Sequence, residues 1–450
     1  MRFPSLFRSV LNPGVARRET WAWALFDFAN SGYTTVVVTT VFNAYFVAVV
    51  AGNAPWATLA WSGALAVSYL AIMATAPAMG AYADLHLAKK RLLALTTLGC
   101  AGGTAALGLA GPGEIGLAVV LVVVSNFCFG TGENLIAAFL PELVRGRGMG
   151  RLSGLGWGVG YFGGLFTLGL CLAYVAHAQE RGLGEEVFVP VALLITAGVF
   201  LVASLPTFLF LRERGGGGGQ IASASSGDAG ALAVVYRRTL DTLGHVRGFP
   251  DLFRFLGCLV AYQSGVQAVI VLAAIYARQA LDFDAGQTIR LVMVVNVMAA
   301  LGALGFGLVQ DRIGHRRALA MTLLGWLGCV LLLWRATGGP GFWLGAGVAG
   351  CCLGASQSAG RALVGYLSPP ARRAEFFGLW GLAVKLSAIL GPVCYGLASW
   401  LSHGDHRLAM LTLVPFFLLG LLLLAGVDPL RGRRRALRRD VGTSAEASPT

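Results

Sequence analysis

Long apolar runs, each of about 20 residues and almost free of charge, follow one another along most of the 450-residue chain. A helix of about 20 apolar residues crosses a hydrocarbon layer of ~30 Å. The pattern therefore predicts an all-α membrane protein that crosses the bilayer repeatedly. We predict twelve spans, near residues 22–48, 57–82, 91–111, 115–140, 152–177, 188–211, 252–278, 288–310, 317–336, 341–366, 375–400 and 406–428.

One polar break divides the twelve predicted spans into two groups of six. Residues 212–248 contain five consecutive glycines followed by QIASASSGDAG, a composition typical of a flexible linker. We therefore predict an N-terminal six-helix bundle over 1–211, the linker over 212–248, a C-terminal six-helix bundle over 249–430 and a basic tail over 431–450.

The charged residues support this picture and give it an orientation. Only 12% of the residues are charged, about half the share in a soluble domain. The N-terminus, the even-numbered loops, the linker and the tail carry 28 of the 34 basic residues. Because arginine and lysine favour the cytoplasmic side, both termini and the linker are predicted to be cytoplasmic. The net charge of +13 is thus interpreted as a topology signal with attraction to anionic lipid, and no nucleic-acid partner is expected.

Neither the cysteines nor the N-terminus indicates a metal site or a cleavable signal peptide. The eight cysteines lie mostly in apolar runs, without the spacing of a metal site, so we interpret them as packing residues and expect no metal or cofactor. The first twenty residues lack the apolar core of a cleavable signal peptide. We expect a monomer in a bacterial inner membrane, with a vacuolar membrane as the alternative.

Two loops repeat one pattern in the two halves of the chain. The loop GAYADLHLAKKR begins at Gly80, and the loop GLVQDRIGHRR begins at Gly307, 227 residues later. At the same offset the stretch LFDF, which contains Asp27, falls on LFRF, which contains Arg254. Two matches at one offset indicate an internal duplication of a six-helix unit.

The repeated loop resembles the G-x-x-x-D-R-x-G-x-[RK]-[RK] loop of the major facilitator superfamily. The second copy, with Asp311 and Arg312, matches in full, whereas the first keeps Asp84 but has Leu85 and Ala88 at two expected positions. The resemblance implies two pseudo-symmetric six-helix bundles. It also implies that Asp84, Asp311 and Arg312 belong to latches that hold one conformation at the cytoplasmic end.

Three further stretches resemble one branch of that superfamily, the vacuolar-effluxer-like family of autophagy-related amino-acid exporters and their bacterial relatives. They are WALFDFANSGYTT, FLPELVRGRGMGRLSGLGWGVGYFGGL and GRALVGYLSPPARRAEFFGLWGLAVKLSAILGP. The resemblance covers nearly the whole chain and implies a bacterial member of this branch. Because its bacterial members have no settled substrate, it leaves the solute open.

Acidic residues stand in two apolar helices of the N-terminal half. Asp27 and Asn30 belong to one polar stripe of the first span, and Glu133 lies in the fourth. A carboxylate at this depth costs a few kcal/mol unless it meets water or a partner. These stripes are therefore predicted to line a hydrated space, and the two acids are candidates for proton carriers.

Arginines occupy the equivalent positions of the C-terminal half. Asp27 corresponds to Arg254, and Glu133 corresponds to Arg361 when the loop prolines are aligned. We hypothesise a cytoplasmic gate in which Asp27 and Glu133 pair with Arg254 and Arg361 in the closed state. In the alternative reading, Asp27 stabilises a helix N-terminus and the arginines reach to the interface.

Lys385 is the deepest cation, about 15 Å along the eleventh span. A lysine there must face a cavity or a carboxylate. We interpret it as a substrate or coupling residue that receives a substrate carboxylate. The alternative is a buried ion pair of Lys385 with Glu133 or Asp27. The depth of Lys385 in the membrane argues against this alternative, since both acids are expected nearer the cytoplasm.

Four amides of the C-terminal half are candidates for further hydrogen bonds around the same cavity. They are Gln263, Gln267, Asn296 and Gln357. Each of them alone is equally typical of contact between helices.

Glycines recur every four residues in the fifth span. One series is Gly156, Gly160 and Gly164, and a second is Gly154 and Gly158. This spacing lets another backbone approach closely, either for static packing, which we favour, or for a sliding surface.

These features predict a secondary active transporter for a small solute, with an amino acid or related carboxylate favoured and proton coupling left open. The chain has no G-x-x-x-x-G-K-[ST] loop for ATP. It also has no H-E-x-x-H, paired midplane aspartates or G-x-S-x-G, so we do not expect an enzyme. The alternative is a membrane sensor or assembly factor that keeps a transporter scaffold without transporting.

Overall fold

A computed structural model describes residues 10–146, 148–214, 248–281, 285–335, 340–402 and 410–446. Nearly all of the predicted linker, 212–248, lies outside the described residues. Within the described ranges the chain is helical apart from turns and one isolated backbone bridge between Leu11 and Val144. Helices suit the apolar runs because a backbone in hydrocarbon must satisfy its own N–H and C=O groups.

The first twelve helices follow the predicted spans in order, and a thirteenth covers most of the predicted basic tail. They are α1 (Arg17–Val50), α2 (Ala57–Leu85), α3 (Lys89–Ala106), α4 (Ile115–Ala137), α5 (Gly148–Glu180), α6 (Glu185–Phe210), α7 (Pro250–Leu281), α8 (Ala285–Ile313), α9 (His315–Arg335), α10 (Pro340–Leu367), α11 (Arg373–Leu401), α12 (Leu413–Ala425) and α13 (Pro429–Glu446). A single helical turn, Leu140–Leu143, follows α4.

α1 is irregular in its second half. Its α-helical part, Arg17–Tyr33, continues into π-helical stretches at Thr34–Thr40 and Phe46–Val50. The first stretch is a run of β-branched residues, TTVVVTT. Threonine hydroxyls there donate to carbonyls one turn earlier, as at Thr39 and Thr40. Such back-bonding bends helices and favours local departures from α geometry.

Fewer than twelve spans can be identified among the described residues. Among the described residues, ten helices are long and apolar enough to cross a membrane, or eleven if the pair Leu413–Ala425 and Pro429–Arg438 counts as one span. That pair is bent by 59°, and the preceding residues 403–409 lie outside the description. The chain is a multi-pass integral membrane protein, and the count of twelve and the side on which its termini lie remain predictions.

The two halves pack together at one end of the bundle, which we call the basic-loop end because it contains the two repeated loops. A Cβ added to Gly80 of α2 would collide with the backbone of Ala374 in α11. A Cβ added to Gly154 of α5 would collide with the carbonyl of Ala303 in α8. Glycine therefore allows α2 to lie against α11 and α5 against α8, across the two halves.

Candidate functional site

Lys385 of α11 and Glu133 of α4 form an ion pair between the two halves. The Lys385 Nζ lies 3.4 Å from Glu133 Oε2, and the two side chains are 10% and 20% exposed. The ammonium also lies 5.4 Å from the centre of the Tyr69 ring and 5.6 Å from that of Phe129. A cation is attracted to aromatic faces at such distances, so a carboxylate and two rings surround it together.

This pair corrects the interpretation that depth would keep Lys385 from Glu133. The reason is that α4 and α11 cross closely. A Cβ on Gly130 of α4 would lie 3.2 Å from the Lys385 Cε, and a Cβ on Gly381 of α11 would collide with Asn134. Without those side chains the lysine passes over the α4 backbone and reaches the acid.

Arg361 of α10 is inserted into the N-terminal half. Its Nη1 lies 2.7 Å from Asp27 Oδ2 on α1. Its Nε donates to the Ser153 hydroxyl at 3.2 Å, and its Nη2 donates to the Ser153 carbonyl at 3.0 Å. The guanidinium lies between the rings of Trp23 and Trp157, at 4.7 and 5.2 Å from their centres. Arg361 is only 3% exposed, so this is a buried charge with several partners.

In the structure the residues of the predicted gate have partly different partners. Asp27 pairs with Arg361, not with Arg254, and Glu133 pairs with Lys385, not with Arg361. Arg254 is exposed and donates to the carbonyl of Gly426 at 2.7 Å. Residues related by the internal duplication occupy equivalent places in their own halves, and equivalence does not make them face each other.

A glycine determines which acid Arg361 reaches. A Cβ on Gly156 of α5 would collide with Asp27 Oδ2 and would lie 2.6 Å from Arg361 Nη2. The missing side chain leaves a passage past α5, and the arginine of α10 meets the aspartate of α1 through it.

The two ion pairs are electrostatically connected. Asp27 and Glu133 carry like charges, which repel each other. The charges therefore run from Arg361 to Asp27, then to Glu133 and Lys385, with both acids in the N-terminal half and both cations in the C-terminal half. A change of charge at one acid changes the field at the other.

Asp84, in the first repeated loop, contacts the opposite half. Its Oδ2 accepts the backbone N–H of Glu375 at 3.1 Å, in the first turn of α11. Its Oδ1 also lies 3.2 Å from Lys89 Nζ. A carboxylate at a helix N-terminus is favoured by unpaired N–H groups and by the helix dipole.

Asp311, in the second repeated loop, makes the equivalent contact with α5. Its Oδ1 accepts the N–H of Gly150 at 3.1 Å, and its Oδ2 lies 2.8 Å from Arg151 Nε. Each repeated loop thus holds the N-terminal end of a helix from the other half. The neighbouring Arg312 is exposed.

Sequence reasoning missed a buried network beside Asp84. Lys89 Nζ lies 2.5 Å from Glu142 Oε1, and Glu142 Oε2 accepts the N–H of Arg214 at 2.9 Å. Arg214 in turn pairs with Glu19 at 2.7 Å. This network fixes the four residues after α6 to the basic-loop end, and no periodic sequence pattern indicates it.

Glu213 belongs to the same segment. Its carboxylate accepts the N–H groups of Lys89 at 3.0 Å and Lys90 at 3.2 Å. Burial raises the pKa of Glu213 above its ordinary value of 4.5, although these hydrogen bonds and the Lys89 charge oppose the shift.

The predicted amides do not form one cluster. The Gln263 amide of α7 donates to the Gln357 amide oxygen of α10 at 2.8 Å. Asn296 instead donates to the Val292 carbonyl of its own helix at 2.8 Å, while Gln267 is half-buried on α7. Asn30 is 7% exposed, and its side-chain oxygen has no hydrogen-bond partner among the described residues.

The two glycine series of α5 contact two different helices. Cβ atoms on Gly156 and Gly160 would meet Asp27 of α1. A Cβ on Gly158 would meet Leu304 of α8. One series thus packs within the N-terminal half and the other packs across the two halves.

Aromatic partners of the two cations were also missed. Trp23 lies one helical turn before Asp27, and Trp157 directly follows Gly156. Trp23 therefore had a local signal, because residues four apart share a helix face. Tyr69 is on α2, and nothing in its own sequence context relates it to α11.

Comparison with known proteins decides the family. Residues 62–150 and 147–437 match the family described as "Vacuole effluxer Atg22 like". The chain belongs to this Atg22-like family. The resemblance of the three sequence stretches is thereby confirmed.

Two relatives are similar to the chain over much of its length. It is 24% identical over 413 residues to the "Uncharacterized MFS-type transporter YxiO" of Bacillus subtilis, covering 90% of this chain and 94% of that protein. It is 26% identical over 322 residues to "Autophagy-related protein 22-1" of Aspergillus fumigatus, covering 67% of this chain but only 51% of the fungal protein. The match to the bacterial relative spans nearly both full lengths.

Solved structures support the major facilitator fold. The human organic anion transporter MFSD10 aligns with a TM-score of 0.69 at 17% identity, over 91% of this chain and 99% of that one. The proton:xylose symporter XylE aligns with a TM-score of 0.68 at 14% identity, over 91% and 94%. FucP in the outward conformation aligns with a TM-score of 0.66 at 15% identity, over 91% and 98%. At these identities the likeness shows the fold alone.

Proposed function

We propose that this Atg22-like protein is a secondary active transporter that moves a small carboxylate-bearing solute, with an amino acid favoured, by alternating access. The observation that carries the proposal is the Lys385–Glu133 pair, which joins the two halves within apolar helices. Ionisable groups there are expensive unless they serve a hydrated path. The Atg22-like family and the major facilitator fold support solute transport in general.

The two ion pairs differ in a way that suits two roles. The Lys385–Glu133 distance of 3.4 Å is longer than the ~2.7–2.9 Å of a strong charge-assisted hydrogen bond, and both side chains retain some exposure. A substrate carboxylate can therefore compete with Glu133 for the lysine. The Arg361–Asp27 pair is shorter, at 2.7 Å, and its side chains are 3% and 12% exposed. We assign the first pair to the substrate site and the second to the gate.

The gate belongs to a conformation that is closed at the basic-loop end. There Arg361 enters the N-terminal half, while Asp84 and Asp311 hold α11 and α5. With this end assigned to the cytoplasm by its arginine and lysine content, the closed mouth is the cytoplasmic one. Opening it requires these contacts to separate, so their free energy sets the balance between the two states.

The remaining parts of the proposal concern coupling and location. Displacement of Glu133 by a substrate carboxylate would leave an acid free to take up a proton, with Asp27 close by. We therefore include proton coupling through these two carboxyl groups. The Bacillus relative favours a bacterial cell membrane over a vacuolar one, and a monomer without nucleic acid or cofactor is sufficient for this mechanism.

Counterflow in proteoliposomes tests the function. Vesicles containing the wild-type protein are preloaded in turn with amino acids, organic acids and sugars, and uptake of the labelled solute is measured. Lys385→Ala should abolish uptake of the transported solute while the protein remains folded in the membrane. Lys90→Ala is the matched control, since it removes a lysine that donates to the Leu211 carbonyl at the basic-loop end.

Two results would argue against the proposal. Undiminished uptake by Lys385→Ala would exclude its role at the substrate site. No counterflow of any solute by the wild type, combined with thermal stabilisation by one of them, would favour the sensor alternative.

A further inference from the structure

The tail helix α13 turns away from the last span. Pro429–Arg438 is bent by 59° from Leu413–Ala425. The apolar helix ends at Ala425 and the basic helix begins at Pro429, so we place the start of α13 at the edge of the hydrocarbon layer. A helix bent by this angle from a span can lie along the bilayer surface.

The first turn of α13 is fixed to the protein by a buried aspartate. Asp251 at the start of α7 is 0% exposed. It accepts hydrogen bonds from Arg431 Nη2 at 2.5 Å and Nε at 2.9 Å, and from the N–H of Asp428 at 3.0 Å. Arg433 donates to the Ser368 carbonyl at 3.2 Å. Asp251 thus determines where the helix lies.

Small residues form the inner face of α13. Ala436 is 0% exposed. A Cβ on Gly432 would lie 2.6 Å from Leu367 Cδ2 and 3.0 Å from Asp251 Cβ. Positions 432 and 436 are one turn apart, so they share the face that α13 turns toward α7 and α10.

The side of α13 away from Gly432 and Ala436 is basic with an apolar edge, and the anchored Arg431 lies at its N-terminal end. Arg434, Arg435 and Arg438 are exposed, and their spacing of one and three residues places them on one side of the helix. Leu430 and Leu437, seven residues apart, are 63% and 43% exposed beside them. No acidic residue occurs between 429 and 439.

We propose that α13 is an interfacial helix that binds anionic phospholipid headgroups through Arg434, Arg435 and Arg438, with Leu430 and Leu437 entering the acyl boundary. Basic residues beside apolar ones, on a helix at the membrane surface, are the features that such binding needs. The exposed leucines and the bend after α12 favour lipid over nucleic acid, which would require only the charge. This inference is independent of the transported solute.

A dye at Leu437 tests the inference directly. Leu437→Cys is labelled with an environment-sensitive fluorophore in a Cys394→Ala background, because Cys394 is an exposed cysteine. The full-length protein is placed in nanodiscs of phosphatidylcholine with increasing phosphatidylglycerol. We expect the emission to shift to the blue as phosphatidylglycerol increases, and high salt to reverse the shift.

Two charge variants separate this site from general basicity. The triple variant Arg434→Gln/Arg435→Gln/Arg438→Gln should show no blue shift in nanodiscs with up to equal parts of phosphatidylcholine and phosphatidylglycerol. Each arginine near an anionic surface raises the affinity about fivefold. The matched control, with the exposed Arg17, Arg18 and Arg91 all changed to glutamine, should keep the blue shift.

Three outcomes would overturn the proposal. The dye emission could be the same with and without phosphatidylglycerol, or the triple variant of α13 could show the same blue shift as the wild type. Third, a short oligonucleotide that carries the same total charge as the phosphatidylglycerol could abolish the blue shift. The last outcome would identify nucleic acid as the partner. Asp251→Asn, which weakens the anchor but keeps the three arginines, should reduce the shift only in part.

Discussion

The Arg361 guanidinium of α10 and the Asp27 carboxylate of α1 are 2.7 Å apart, although the residues come from different halves of the chain. Two tryptophan rings and the backbone of Ser153 surround the arginine. Removing one partner of a buried pair costs ~3–5 kcal/mol because the other charge is left without compensation. This contact is therefore a strong candidate for holding the basic-loop end closed.

Exchanging the two charges tests the gate. Asp27→Arg and Arg361→Asp should each reduce solute counterflow at least tenfold, because each places two like charges together. The double variant should recover part of the activity. The recovery is expected to be incomplete, since the exchanged arginine loses Ser153 and the tryptophans.

A second exchange provides the control. Glu133→Arg with Arg361→Glu should show no recovery over the single variants, because these two residues are not paired in the structure. Recovery here and not in the first exchange would contradict the assigned pairing.

Gly156 should not tolerate a side chain. Gly156→Ala places a methyl group against Asp27 and Arg361, so we expect a loss of about 1–3 kcal/mol in stability from overpacking and a loss of counterflow. Gly169→Ala on the same helix has no atom within 4 Å of the added carbon. It should be neutral or stabilising by up to ~1 kcal/mol. Equal effects of the two variants in thermal unfolding would exclude the close approach as the cause.

Asp84 should favour the closed basic-loop end. Asp84→Asn removes the charge that faces the first turn of α11 and Lys89, with an expected cost of about 1–2 kcal/mol to that conformation. The population ratio should then change roughly tenfold toward the open state. Spin labels at positions 91 and 317, on helices of opposite halves, should report a longer distance.

Arg312→Gln is the matched control for Asp84→Asn. Arg312 lies in the second repeated loop but is exposed, so its replacement should leave the distance distribution unchanged. A shift as large as that of Asp84→Asn would mean that loop charge in general, and not the contact with α11, sets the equilibrium.

Glu213 should make stability depend on pH. Because its pKa is raised in the folded protein, the folded state binds the proton more tightly than the unfolded state. Its contribution to stability is then complete below about 4.5 and is lost as the pH rises through the raised value. Glu213→Gln should remove this dependence. The unfolding temperature of the variant, relative to that of the wild type, should therefore rise as the pH increases. A difference that stays constant with pH would contradict this assignment.

The sequence alone determined the parts of this protein that depend on one helix at a time. Whether a segment such as 188–211 suits hydrocarbon is decided by its own side chains, so the helices, the duplication and the family could be predicted. Asp27, Glu133 and Lys385 could also be found, because ionisable residues stand out in an apolar sequence wherever their side chains point.

Only the tertiary structure decided which of these residues meet. The partner of a charged residue depends on where two helices cross. Gly156 and Gly130 have no side chain, so the neighbouring helices and charged side chains can come close there. For that reason Arg361 reaches Asp27, and Lys385 reaches Glu133, against the pairing that the duplication suggested. The same holds for α13, whose position follows from the buried contact of Asp251 with Arg431, two residues 180 positions apart.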